Sequence, residues 1–130
     1  GVAPWACGCV GAALRWLGEV LPGGWPEWRK RKHALVVGGA RLLCARLEVD
    51  PPCPEKMVGS MATIPLPARF QSRAVTGKIA EEQLRLYDEF GIEVPFNAIG
   101  DSRIRHFRIS AQVYNSPTDY NYLADALERV

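Results

Sequence analysis

The sequence predicts an α+β domain, a small three-stranded sheet, antiparallel or mixed, covered on one face by helices and preceded by a long helix. Three observations lead there. First, within residues 103–114, Phe107, Ile109, Ala111 and Val113 alternate with Arg108, Ser110, Gln112 and Tyr114. That is the period of a β-strand with one buried face. Second, a helix start follows at once: Ser116 as the cap, Pro117 at the first helical position and Asp119 where a capping box wants an acid. Tyr122, Leu123, Ala126, Leu127 and Val130 then recur at helical spacing, so the last helix covers 117–129. Third, the first 47 residues carry two helical patterns split by Pro22-Gly23-Gly24.

Residues 1–9, rich in Gly, Ala and Cys, show no clear period and read as an approach segment. Val10, Leu14, Leu17 and Leu21 predict a helix over 10–21. Pro26 suits the first position of a second helix, which runs to Leu47 on a stripe of Trp28, Leu35, Leu42, Leu43 and Leu47 widened by Val36, Ala40 and Cys44. Residues 57–66 read as a strand with its prolines near the end. Residues 68–76 read as a polar loop, and 78–90 as a helix with Ile79, Leu84, Leu86, Tyr87 and Phe90 apolar, ended by Gly91. Residues 92–96 read as a short strand and 97–102 as the turn into the strand at 103–114. The division expected is 1–25 as an interdomain segment with its helix, and 26–130 as the α+β domain.

Composition narrows the function classes. With 130 residues, 48% of them hydrophobic and 23% charged, the chain is long enough for one domain with a core. A net charge of +2 calls for no anionic partner. Apolar runs are too short to span a membrane. The start lacks a signal-peptide pattern and an initiator Met, which leads us to expect a cytoplasmic protein and a fragment. Cys7, Cys9, Cys44 and Cys53 form no disulfide framework, and Cys7-Gly8-Cys9 with the distant His33 and His106 lacks zinc-site spacing. No metal is expected. The basic run Arg29-Lys30-Arg31-Lys32-His33 spreads around more than one helix face and has no aromatic strand platform, so it reads as solvated helix surface and not as a nucleic-acid site.

The stretch Arg108-Ile109-Ser110-Ala111-Gln112-Val113-Tyr114-Asn115-Ser116, with Asp119 and the Leu-Ala-Asp-Ala-Leu helix after it, resembles the end of class V aminotransferase-like enzymes. These are pyridoxal-phosphate (PLP) enzymes of fold type I. Residues 59–67 and 86–95 look like the isopenicillin N epimerase branch. The resemblance covers about 12–130, and implies the C-terminal small domain of a parent whose large PLP-binding domain lies elsewhere. It implies PLP in the parent, an amino-acid substrate and a homodimer.

The same resemblance sorts the candidate residues. Arg108 matches the arginine that binds the substrate α-carboxylate, a role suited to its planar two-pronged fork. Ser60 and Met61 fall where the family approaches its substrate. Asn115 and Ser116 read as turn and cap residues. The family's Schiff-base lysine and the acid at the cofactor ring sit in the large domain, and Lys30, Lys32, Lys56 and Lys78 match no such context. The chain alone is therefore expected to bind no PLP and to catalyse nothing. Cysteine desulfurases carry a nucleophilic cysteine shortly before the arginine motif; residues 91–107 have none. The rival reading is a stand-alone, non-catalytic binding module using the basic helix at 29–33.

Overall fold

The structure, a computed structural model, describes residues 4–71, 80–98 and 104–130, with side chains from residue 7 onward. The element order is α1 (Pro4–Val20), α2 (Gly24–Leu47), a single 3-10 turn (Glu55–Met57), β1 (Met61–Pro65), α3 (Ala68–Gln71), α4 (Glu81–Phe90), β2 (Phe96–Ala98), β3 (Arg105–Ser110) and α5 (Pro117–Leu127). The expected α+β class is what the chain adopts. The sheet order is β1-β3-β2, with β3 central and both pairings antiparallel.

One face of this sheet carries the core. Ala62 and Ile64 of β1 and Phe107 and Ile109 of β3 meet Val36, Leu43 and Leu47 of α2 and Leu123, Ala124 and Leu127 of α5. Burying such side chains contributes about 1.5–3 kcal/mol each, so the helices stay on this face. Directly paired residues share a face. The pairs Met61↔Ser110, Thr63↔Arg108 and Pro65↔His106 therefore line the other side.

Several boundaries differ from expectation, each for a local reason. α1 starts at Pro4, so residues 4–9 are helical and not an irregular approach. A proline is well tolerated in a first turn. The first strand begins at Met61 and not at 57, because the amide of Met57 is spent on the Pro54 carbonyl at 2.9 Å in the 3-10 turn. The strand expected at 92–96 is replaced by β2 at 96–98. Gly91 N–H returns to Tyr87 O at 3.0 Å and Ile92 N–H to Leu86 O at 2.9 Å, closing α4, and Pro95 has no N–H to donate. Asn97 and Ala98 thus belong to a strand and not to the expected turn; residues 99–103 lie outside the described residues.

The long strand at 103–114 is shortened to 105–110. Asn115 Oδ1 accepts the Gln112 N–H at 2.9 Å and Asn115 N–H donates to Gln112 O at 3.1 Å. Those side-chain and turn bonds replace the ladder. Val113 is consequently exposed, whereas Phe107, Ile109 and Ala111 keep the inward alternation. Where a loop was expected at 68–76, Ala68–Gln71 is a helical turn after Pro67; residues 72–79, including Lys78 and Ile79, lie outside the described residues. In α4 the buried face is Glu82 and Leu86, while Leu84 and Tyr87 face outward. The α2 stripe centres on Val36, Leu43 and Leu47, with Leu35 and Leu42 only partly covered.

α2 and α5 are drawn close at one point. A Cβ added to Gly39 would stand 2.8 Å from the Tyr120 ring, whereas one on neighbouring Gly38 meets nothing within 4 Å. Tyr120 is pinned there by its hydroxyl, which donates to Ser110 O at 2.8 Å. Start and direction of α5 come from the capping box of Ser116 and Asp119, whose carboxylate accepts the Ser116 N–H at 2.9 Å. Among the described residues, no helix is long and apolar enough to cross a membrane.

α1 touches the rest of the fold through α2 and leaves Val10, Leu14 and Trp16 between 50% and 64% exposed. Val10 and Leu14, four residues apart, share one face of α1 and Trp16 lies on another; exposed apolar surface of this kind favours self-contact. Sedimentation velocity should show concentration-dependent association, reduced by Val10→Glu with Leu14→Glu; a strictly monomeric unsubstituted chain would contradict this. At the helix contact, Gly39→Ala should destabilise by about 1–3 kcal/mol through overpacking. Gly38→Ala should instead stabilise by up to about 1 kcal/mol through helix propensity. Thermal melts of the two variants should therefore shift in opposite directions.

Candidate functional site

Where β3 ends and the 91–95 segment diverges from it, a cleft of about 620 Å³ opens. Arg108 lines it, together with Ser110, Gln112, Tyr114 and Asn115 from the same stretch, and Gly91 to Pro95 from the opposite side. The cleft follows from the local interactions already described. Residues 91–92 bond back to α4, residues 112–115 bond to one another, and the two segments part. Arg108 N–H still reaches Pro95 O at 3.2 Å, which marks the last rung before the gap.

Alternation along β3 sends the Arg108 side chain to the face without helices, where it is exposed. Among the described residues its guanidinium has no ion-pair or hydrogen-bond partner. It can therefore present both prongs to a carboxylate. The cleft also holds two acids, Glu93 and Asp119, but Asp119 is engaged by the Ser116 N–H and by Asn115 Nδ2 at 3.2 Å. Tyr120 forms part of the wall. Burial, with a smaller contribution from Asp119, pushes its phenol above the ordinary range, so it remains a hydrogen-bond donor to Ser110 O.

The three site residues expected from sequence are not brought into one cavity. Met61 lies on the same sheet face as Arg108, diagonal to it because Thr63 is the residue directly opposite. It is 54% exposed and borders a different cavity between β1 and α2. Ser60 is one residue out of that phase. Its carbonyl accepts the Ala111 N–H at 2.9 Å, and the residue lines a third cavity with Trp25, Trp28 and His33.

Sequence reasoning missed a buried ion pair beside this site. Arg105 and Glu82 side chains are 5% and 2% exposed, with Arg105 Nη2 3.2 Å from Glu82 Oε2. Arg105 also donates to Phe70 O at 2.7 Å and places its guanidinium carbon 5.9 Å from the Phe96 ring centre. Its N–H donates to Gln71 Oε1 at 2.6 Å. The pair joins α3, α4 and β3 from inside and holds the strand whose other face bears Arg108. The signal was available: extending the Phe107, Ile109, Ala111 alternation back two residues places Arg105 on the core face.

A probable chloroplastic L-cysteine desulfhydrase of Arabidopsis thaliana is 34% identical to the chain over 113 residues. The match covers 81% of this chain and 23% of that protein, so the chain spans less than a quarter of the relative's length. No family model matches the chain. The aligned region includes most of the α+β unit described above, and the chain is thus similar to one part of a larger enzyme.

Breaking the buried pair should be costly. Glu82→Ala leaves the Arg105 guanidinium without its carboxylate in a dry setting, an effect of about 3–5 kcal/mol. Chemical denaturation should show that loss. Glu89→Ala, which removes only the exposed contact with Arg85 at 2.8 Å, should change stability by less than about 1 kcal/mol.

Proposed function

We propose that this chain is the small domain of a PLP-dependent enzyme of the class V aminotransferase type that acts on an amino acid, and that Arg108 holds the substrate α-carboxylate. The observation that carries the reading is the Arg108 guanidinium, without a partner among the described residues, in a cleft at the end of the central strand. The similarity to a cysteine desulfhydrase supports it, since any such substrate carries that carboxylate. L-cysteine is accordingly the first substrate to test. The epimerase-like stretches at 59–67 and 86–95 make amino-acid epimerisation the second. Both require the same anchor.

The described residues do not suit PLP by themselves: no lysine lines the Arg108 cleft. No catalytic step is therefore assigned to this chain. In our reading its contribution is to bind and orient, with the cofactor and its lysine supplied by the large domain, within a homodimer. PLP would supply the electron sink for chemistry at the α-carbon. In this reading Met61, diagonal to Arg108 on the same sheet face, borders the substrate from across the strand pair. Ser60 would reach it only from beyond the end of β1.

Charge-assisted hydrogen bonds contribute roughly 1.5–3 kcal/mol each. In the full-length protein, Arg108→Ala should thus lower kcat/KM for carboxylate-bearing substrates by about tenfold to a thousandfold. Arg108→Lys keeps the charge without the fork and should restore only part of it. PLP content and Tm should stay near wild type, because the side chain is exposed on the strand. Unchanged kcat/KM in a folded Arg108→Ala enzyme would refute the carboxylate role.

A further inference from the structure

The cavity between the first turns of α2 and the Gly59-Ser60 segment has its own chemistry, and we propose that it binds a mononucleotide, a flat base joined through a sugar to a phosphate monoester. It shares no lining residue with the Arg108 cleft and is independent of the function proposed above. Its volume, about 450 Å³, suits a small organic ligand.

The cavity is built by spacing. Trp25, Trp28, Arg29, Lys32 and His33 stand at i, i+3, i+4, i+7 and i+8 along α2, which is one helix face. The basic run at 29–33 is therefore not uniform. Arg31 leaves the group for Glu27, which it meets at 2.6 Å, while Arg29, Lys32 and His33 turn toward the two tryptophans. The rings of Trp25 and Trp28 have centres 6.4 Å apart and planes 38° apart. That tilt keeps them from stacking on each other, and Trp25 is only half-buried, so it can offer a face to a flat ligand.

The charges select the other half of the ligand. Among the described residues, Arg29 and Lys32 have no carboxylate partner; Lys32 Nζ instead lies 5.5 Å from the Trp28 ring centre. Among the described residues no acid lines the cavity, and Glu55, which feels the charge of His33, is committed to Arg41. Two free cations without an acid match a phosphate monoester, which carries close to two negative charges near neutral pH. His33 Nδ1 stands 3.0 Å from Val58 O, an acceptor it satisfies as a donor, and this fixes the ring while leaving Nε2 uncommitted. Trp28 is 4% exposed and its indole N–H has no acceptor among the described residues.

Calorimetric titration of the chain with adenosine monophosphate, adenosine and inorganic phosphate tests both halves separately. Adenosine monophosphate should bind at one site, at least roughly tenfold tighter than either partial ligand. The double variant Arg29→Ala, Lys32→Ala should weaken it by at least roughly tenfold and bring it down to the level of adenosine. Trp25→Ala should bring it down to the level of phosphate, and Arg108→Ala should leave it unchanged. Circular dichroism confirms that each variant is folded. Absence of saturable binding in the millimolar range overturns the proposal. So does equal binding of phosphate and adenosine monophosphate, which would mean a plain cationic surface, or indifference to the double variant.

Discussion

β3 is paired on both sides, and its alternation decides what every neighbouring element must do. Arg105, Phe107 and Ile109 point inward; His106, Arg108 and Ser110 point outward. A slip of one residue would expose Phe107 and Ile109 and drive Arg108 into the core. The register is held against such a slip by Ile64 and Ala62 across one edge, Phe96 across the other, and the α2 and α5 side chains below. The orientation of Arg108 is thus a consequence of apolar burial on the opposite face.

Two arginines three residues apart show how strongly phase governs fate. Arg105 is inside, where removing a cation from water is expensive unless a carboxylate and further acceptors meet it. Glu82 and the Phe70 carbonyl provide that. The pair and the Phe70 carbonyl together tie α3 and α4 to the strand from inside. Arg108, outside, keeps its hydrogen-bonding capacity and opens onto a cleft.

The cleft in turn depends on where the sheet stops. Gly91 and Ile92 close α4, Asn115 draws Gln112 into a turn, and the Ser116–Asp119 capping box redirects the chain into α5. The close approach at Gly39 lets Tyr120 sit under the end of β3 and bind Ser110. Short-range polar bonds thereby convert a regular edge into a concave surface. The cavity beside Trp25 and Trp28 arises differently: helical spacing groups two tryptophans with three basic residues, and the Gly59-Ser60 segment closes the other side.

Local chemistry in the sequence was enough to determine the α+β class, the turn at 22–24, the start of α5 and the outward phase of Arg108. Each depends on interactions within a few residues: a two-residue or 3.6-residue period, a capping box, or a break by Pro and Gly. What only the tertiary structure decided depends on groups distant in the chain. The starts of β1 and β2 and the end of β3 were set by which amides found partners in competing turns. The burial of Arg105 required Glu82, 23 residues away. The separation of Ser60 from Arg108 followed from pairing register, and the conversion of the basic run into a cavity wall required the Gly59-Ser60 segment to arrive opposite α2. A sequence displays the period of each element, but the free energy of a long-range pair exists only once both partners have been brought together.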